Sequence, residues 1–358
     1  MKFNEKEMIP VGQWSPELIA AESIPQYNTP LTAKENYYRM FNKNGEHCQW
    51  IPAHCDCITF NPIIIPDCSA RAMVSEVIKL KPGEEGGLDM FGMDWEYEPQ
   101  VGGSMVKQGL MLFDDANDWK EKVVFPNIDE WDWQGCADRN RGIYFDTDRV
   151  TEYVQFTGMF ERLISFMTMQ NALVALMDED QQDAVKELFD KLADFYDDLI
   201  DHLHRYFHID MFQFHDDWGS QRGPLIGPDT LREMVAPYVK RVVDSCHRRG
   251  IIFDFHSCGK NQDLVPIMIE CGMDQWGGQA INDFDYIYET YGDKIAIGIT
   301  PYDCRTERNP EKARELAKKF AADYCPDFNQ KPFFAVMRRA IPEYREELYR
   351  QSRILMGE

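Results

Sequence analysis

The 358-residue sequence has no apolar run approaching the ~18 residues needed to cross a bilayer. Its opening, MKFNEKEMIPVGQW, lacks the basic-then-apolar layout of a secretory leader. Positive charge is scarce: 38 Lys and Arg stand against 61 Asp and Glu, a formal net charge of -23. Such a chain is repelled by nucleic acid and by anionic membrane surfaces, but it can receive a basic protein partner. Internal repeats and low-complexity tracts are absent. Ten cysteines in a long chain without a leader predict reduced thiols and not a disulfide framework. Together these absences predict a soluble, cytoplasmic protein.

What is present is material for a large core, with 44% hydrophobic and 13% aromatic residues. A single domain spanning 1–358 accommodates it. Residues 1–48 read as an N-terminal arm with one helix, where Thr32 and Glu35 have capping-box spacing. Residues 61–150 are rich in Pro, Gly, Trp and Asp and weakly periodic, which predicts a cap or insertion. From residue 151 strands and helices alternate strictly. The predicted strands are TEYVQFTG, IDMFQFHDD (209–217), IIFDFHS (251–257), MDQWGG (273–278), KIAIGIT (294–300) and KPFFAVM (331–337). Helices are predicted at 181–205, 229–249, 261–271, 283–291, 310–323 and 342–356. This alternation implies a parallel sheet, and the number of units fits an α/β fold of the (β/α)8 TIM-barrel type with an N-terminal arm and an elaborated cap. An open doubly wound sheet is the other arrangement considered. A homodimer is compatible with this composition.

In such barrels chemistry sits where strands end. One such end reads FDFHSCGK (253–260). Side chains alternate along a strand, so Asp254, His256 and Cys258 share a face and point into the barrel. An imidazole and a thiol converging there form half of a zinc site. Asp254 is placed to orient His256, and Gly259 lets the chain turn. An isolated His-x-Cys is more often core than ligand, so a third donor is required. Cys304 is the best placed, with Cys325 and Asp303 as alternatives. At HDDWGSQRG (215–223), Phe212, Phe214 and Asp216 share a face and Asp217 falls at the turn. The paired carboxylates make Asp216 and Asp217 candidate proton-handling residues, although Asp is also a common helix cap. Trp218, Gln221 and Arg222 supply an apolar wall and directional donors, and with Gln279, Asp303 and Trp95 they form the candidate substrate-binding set. HCDC (54–57) cannot present all four side chains to one ion if it is a strand.

The stretch from DDWG through the P-Y-x-K-x-x-x-D helix to HSCG, continuing into YGDKIAIGIT, resembles the uroporphyrinogen decarboxylase superfamily. The closer similarity is to its cobamide-dependent methyltransferase branch, over roughly residues 30–340. The resemblance implies a (β/α)8 barrel, a zinc ion held by His256, Cys258 and a later cysteine, and an O-demethylase-like methyltransferase. Its partners would be a small methyl donor or acceptor and a corrinoid carried by another protein. The later cysteine is expected just after the last strand, where this chain reads MRRA (337–340), so Cys304 or a carboxylate would have to stand in. The arginine-rich N-terminal signature of the decarboxylase itself is missing, as 42–56 reads NKNGEHCQWIPAHCD.

The expected chemistry is methyl transfer from a poor leaving group. Zinc would polarise the heteroatom, His256 and Asp216 or Asp217 would serve the reaction, and the cap would exclude water. A metal-free decarboxylase and a non-catalytic corrinoid- or ligand-binding scaffold are the alternatives.

Overall fold

A computed structural model describes residues 2–14, 24–41, 45–81, 83–100 and 102–357 of the chain. Seven strands form one parallel sheet: β1 (Cys57–Thr59), β2 (Val150–Gln155), β3 (Met211–His215), β4 (Ile252–Ser257), β5 (Gln275–Gly278), β6 (Ala296–Ile299) and β7 (Phe333–Ala335). Their order in the sheet follows the chain, β1 through β7, and all six pairings are parallel. The sheet curls until its edges meet. They are joined there by one isolated bridge, Ala53 to Ala335, with the Ala335 N–H donating to the Pro52 carbonyl at 2.8 Å.

This corrects the expected closed eight-stranded barrel. The arrangement is an open, barrel-like sheet of seven strands whose seam is a single bridge. The missing unit would have come from 61–149. That Pro-, Gly- and Trp-rich stretch instead builds a cap containing a small antiparallel sheet (Gly87–Leu88, Asp94–Glu98, Gly103–Val106). HCDC also departs from a strand: His54–Asp56 is a 3-10 turn, and only Cys57 enters β1.

The predicted helices form, with one change. The helix expected over 229–249 is two helices, Pro228–Met234 and Ala236–Arg248, separated at Val235. Pro237 has no N–H to give the Glu233 carbonyl, and its ring crowds that turn. A further helix, α1 (Met159–Ala175), follows β2 where none was expected, and it breaks at Thr168, which sits at φ 75°. The long helix α2 (Gln182–Phe207) buries the predicted stripe, including Leu188, Leu192, Tyr196 and Leu199. The Thr32–Glu35 capping box forms as expected.

Strand alternation sorts the sheet into two environments. Phe212, Phe214, Phe253 and Phe255 are fully buried. The opposite faces turn inward and carry a polar belt across neighbouring strands. Gln213 donates to both Asp254 and Glu152, Thr59 donates to Glu152, and the Tyr37 hydroxyl donates to Gln275 at 2.9 Å. This belt fills the barrel one layer below the strand ends and forms the floor of the mouth.

The cap is fastened by a buried ion triad. Arg162 of α1 is fully buried and pairs with Asp67 and with Asp89, the latter at 2.6 Å, while Trp95 Nε1 donates to the same Asp89 carboxylate. Both acids come from the cap segment, so the triad joins it to the sheet's first helix. Removing one partner leaves buried charge uncompensated. Arg162→Leu is expected to destabilise the protein by about 3–5 kcal/mol, measured by urea unfolding followed by circular dichroism.

Candidate metal centre

His215 ends β3 and pairs in register with His256 of β4. Their rings stack, with centroids 4.8 Å apart. Two residues beyond each, on the same inward face, stand Asp217 and Cys258. Ligand atoms of His215, Asp217, His256 and Cys258 all lie within 4.8 Å of one another, and this is the one such group among the described residues. His256 Nε2 and Cys258 Sγ are 3.5 Å apart. That matches the about 3.6 Å separating a nitrogen and a sulfur on one tetrahedral zinc ion.

The backbone is shaped to bring these donors together. Asp217 Oδ1 accepts the Cys258 N–H at 2.6 Å, tying the two loops to each other. Gly259 follows at φ 88°, and a Cβ there would meet the Gly219 carbonyl carbon at 2.4 Å. Its N–H donates to Gln279 Oε1 at 2.9 Å.

His215 has its Nδ1 on Glu161 Oε2 at 2.8 Å, which leaves Nε2 for the cluster. Burial opposes charge on this imidazole. Glu161, Cys258 and Asp217 outweigh it and hold the pKa up at about 10. His256 goes the other way: burial first, then the neighbouring His215, push it down to about 3, so its ring is neutral with a free lone pair. Glu161 also lies 3.8 Å from Arg71, whose guanidinium sits over the Trp95 ring at 4.8 Å.

One signal could have found the unforeseen ligands, and one partner carries none. The HDDWG strand has a second face, and it carries His215 and Asp217 opposite the Phe212–Phe214–Asp216 face. Glu161 lies 54 residues from His215 and offers no local signal.

The other expected site residues take varied places. Asp216 is fully buried and caps α1, accepting N–H bonds from Phe160 (3.2 Å) and Glu161 (2.8 Å) and from Trp218 Nε1 (2.9 Å). Burial, and then Glu161, push its pKa up to about 7 against those donors. Trp218 is fully buried and packs on Phe255 with ring centroids 4.5 Å apart, so its face is turned to the core. Gln221, Arg222 and Asp303 are exposed, and Trp95 is buried in the cap. Asp254 joins the polar belt through Gln213. Cys304 lies outside the four-residue group, buried with its thiol toward the Val336 carbonyl at 3.9 Å, and Cys325 is buried near the end of a helix.

Comparison with known proteins places this geometry. The family described as "Uroporphyrinogen decarboxylase (URO-D)" matches residues 147–298, which contain β2–β6 up to Gly298 and all four cluster residues. No curated protein matches the sequence. Among solved structures, a methyltransferase from Methanosarcina mazei is similar at 11% identity and a TM-score of 0.54, over 89% of this chain and 97% of that one. A Xaa-Pro dipeptidase (12% identity, TM-score 0.22, 45% of this chain and 33% of that one) is far more distant. So is an N-acetyl-D-glucosamine-6-phosphate deacetylase from Mycobacterium smegmatis (12%, 0.20, 40% and 50%). The chain therefore shares the methyltransferase's fold. Among the described residues no helix is long and apolar enough to cross a membrane.

The turn at Gly259 makes the cluster's geometry testable. Gly259→Ala combines a left-handed backbone with a 2.4 Å clash against backbone. It is expected to cost about 2–4 kcal/mol, read as a lower urea midpoint.

Proposed function

We propose that the chain is a zinc-assisted, corrinoid-dependent methyltransferase. It would move a methyl group between a small methylated substrate, a methyl ether in our reading, and a corrinoid carried by a partner protein. The observation that carries this reading is the convergence of two imidazoles, a thiol and a carboxylate at the strand ends. The likeness in fold to a methyltransferase supports it. The donor set of nitrogen, sulfur and carboxylate oxygen suits zinc. A bound zinc ion would supply Lewis acidity to the leaving heteroatom or hold an acceptor thiol as thiolate.

The chain's own groups divide the remaining work. Neutral His256 presents its ring nitrogen and Cys258 its sulfur at fixed spacing, and His215 presents a third donor through the nitrogen that Glu161 leaves free. Asp217, which also holds the Cys258 N–H, would be the fourth group able to hold the ion, and its carboxylate stands beside the cluster where it can take or give a proton. Asp216 acts through position, holding the first turn of α1 and with it Glu161. The cap, with Trp95 buried over Arg71, keeps the site dry on that side. The homodimer and the cytoplasmic setting remain part of the same proposal.

The family match described as a decarboxylase favours one other reading, a metal-free decarboxylase on this fold. Metal content separates the two. The purified chain is expected to hold one zinc ion, and His215→Ala, His256→Ala and Cys258→Ser are each expected to lose it by elemental analysis. Glu161→Gln is expected to weaken zinc about 10–100-fold in chelator competition. Zinc-loaded protein with reduced cobalamin and a methyl ether is expected to develop the methylcobalamin spectrum. Full zinc retention in all three ligand variants would overturn the reading.

A further inference from the structure

A surface helix turns an apolar stripe inward and a polar one to water. The second limb of α1, from Met169 through the turn at Met177, departs from that rule. The stretch 163–177 carries no charged residue, in a chain that is 28% charged. The inner side of the limb is buried through Ala172, Ala175 and Leu176. Its outer side presents Met169, Val174 and Met177, which are 40%, 47% and 66% exposed. The cap adds Leu110 and Met111, both exposed, to the same face. Asn171 Nδ2 donates to Met111 Sδ at 3.9 Å, and the Leu112 N–H donates to the Phe166 carbonyl at 2.7 Å, so the two segments lie side by side.

The backbone is strained where this face begins. Thr168 sits at φ 75° and ψ 160°, a region populated almost only by glycine and least suited to a β-branched residue. Up to that point α1 packs inward, with Phe166 against Phe91 and Phe113 at ring-centroid distances of 5.4 and 6.0 Å. The break ends that course and starts a limb with a new rotation, which puts Met169, Val174 and Met177 outside. Strain of this kind persists where the arrangement it holds is used. A contiguous exposed apolar face is a contact surface.

We infer that a second copy of the chain docks on this face, through a two-fold contact centred near Val174. Charge selects that occupant. Two chains of net charge -23 repel one another over most of their surfaces, and they approach at least cost where charge is absent. The face offers no charged group that would specify a foreign partner, and a two-fold contact needs only a patch that fits itself, which flexible methionines supply. Asp178, Glu179 and Asp180 follow the limb at one end only. When two limbs cross antiparallel about Val174, those ends point apart by roughly 15 Å, beyond the Debye length of about 10 Å at 0.1 M salt. Six side chains at most form the centre of an interface, since about 800 Å² a side takes about 20–30 residues, so the dimer is expected to be micromolar and not obligate. The face locates the proposed homodimer and is independent of the metal centre.

The test is sedimentation equilibrium of the full-length protein from about 1 to 100 µM. Reversible association between the 41.9 kDa chain and its double is expected, and it is expected to hold or tighten as KCl rises from about 50 to 300 mM. Val174→Glu and Val174→Lys each set like charges across the two-fold, and each is expected to weaken the dimer about tenfold or more. Mixed in equal parts, the two variants are expected to recover it, which neither misfolding nor a different interface would produce. A chain that stays monomeric throughout, a dimer that both variants leave intact, or a mixture that fails to recover would each overturn the inference. So would a dimer that weakens as salt rises, which would point to an acidic face gripping a basic one. The metal reading fails separately: a chain that dimerises through Val174 and holds no zinc sustains this face and sinks that centre.

Discussion

The arrangement depends on how the first turn of α1 docks on Asp216. Three bonds make the contact: the Gly158 N–H donates to the His215 carbonyl, and the Phe160 and Glu161 N–H groups donate to the Asp216 carboxylate. A buried carboxylate is costly unless its lone pairs are filled, and a helix N-terminus fills them with oriented donors and a favourable dipole. The fit is close enough that Gly158 can have no side chain, since a Cβ there would lie 2.4 Å from the Asp216 Cβ. With Asp216 committed outward to the helix, alternation sends His215 and Asp217 inward. The same docking delivers Glu161 to His215. The next residue, Arg162, gathers the two cap acids. The candidate metal cluster and the cap thus hang from one helix terminus.

Burial at the centre sorts the charges. Two stacked imidazoles resist carrying a proton each, and their surroundings push them in opposite directions. His215 has Glu161, Asp217 and Cys258 around it and holds a proton, whereas His256 has the charged His215 beside it and stays neutral. A metal ion entering the cluster would replace the His215 proton with a cation of greater charge among the same carboxylates. The environment built for a second positive charge is therefore the environment that suits a metal. The Arg71–Glu161–His215 chain extends this outward to Trp95, so seating of the cap hairpin and orientation of the histidine share one carboxylate.

The sheet and most helices were legible because their periodicities are local. Phe253, Phe255 and the α2 stripe announce which side is core, and His256 and Cys258 follow from counting by twos. Closure was not legible. Whether 61–149 adds a strand or builds a cap is decided by where Asp67 and Asp89 find Arg162, a contact between residues far apart in the chain. The inward direction of His215 was available in principle, since it alternates with Phe212 and Phe214, whose apolar rings mark the other face as core. Attention to the paired carboxylates Asp216 and Asp217 hid that they face opposite ways. The resemblance implied a closing cysteine after the last strand, and Cys304 was the nearest substitute. The four-residue group instead draws its other two members from β3 and the turn beyond it, adjacent to β4 in the sheet, where register alone brings them together.

The seam of the sheet links this to the opposite wall of the mouth. A closed barrel would hold the end of its last strand by a continuous ladder of bonds to the first. Here a single bridge at Ala53–Ala335 does so, and beyond it side chains take over: His54 accepts from Met337, and Arg345 donates to the same loop. A strand released from its ladder is free to adopt a left-handed residue, and Arg339 does. The chain thereby turns away just past its last strand, and the candidate metal cluster is built on β3, β4 and the turns that follow them. The incomplete barrel and the sharp turn at Arg339 are two consequences of the same shortened edge, on the far side of the sheet from the one metal-type cluster among the described residues.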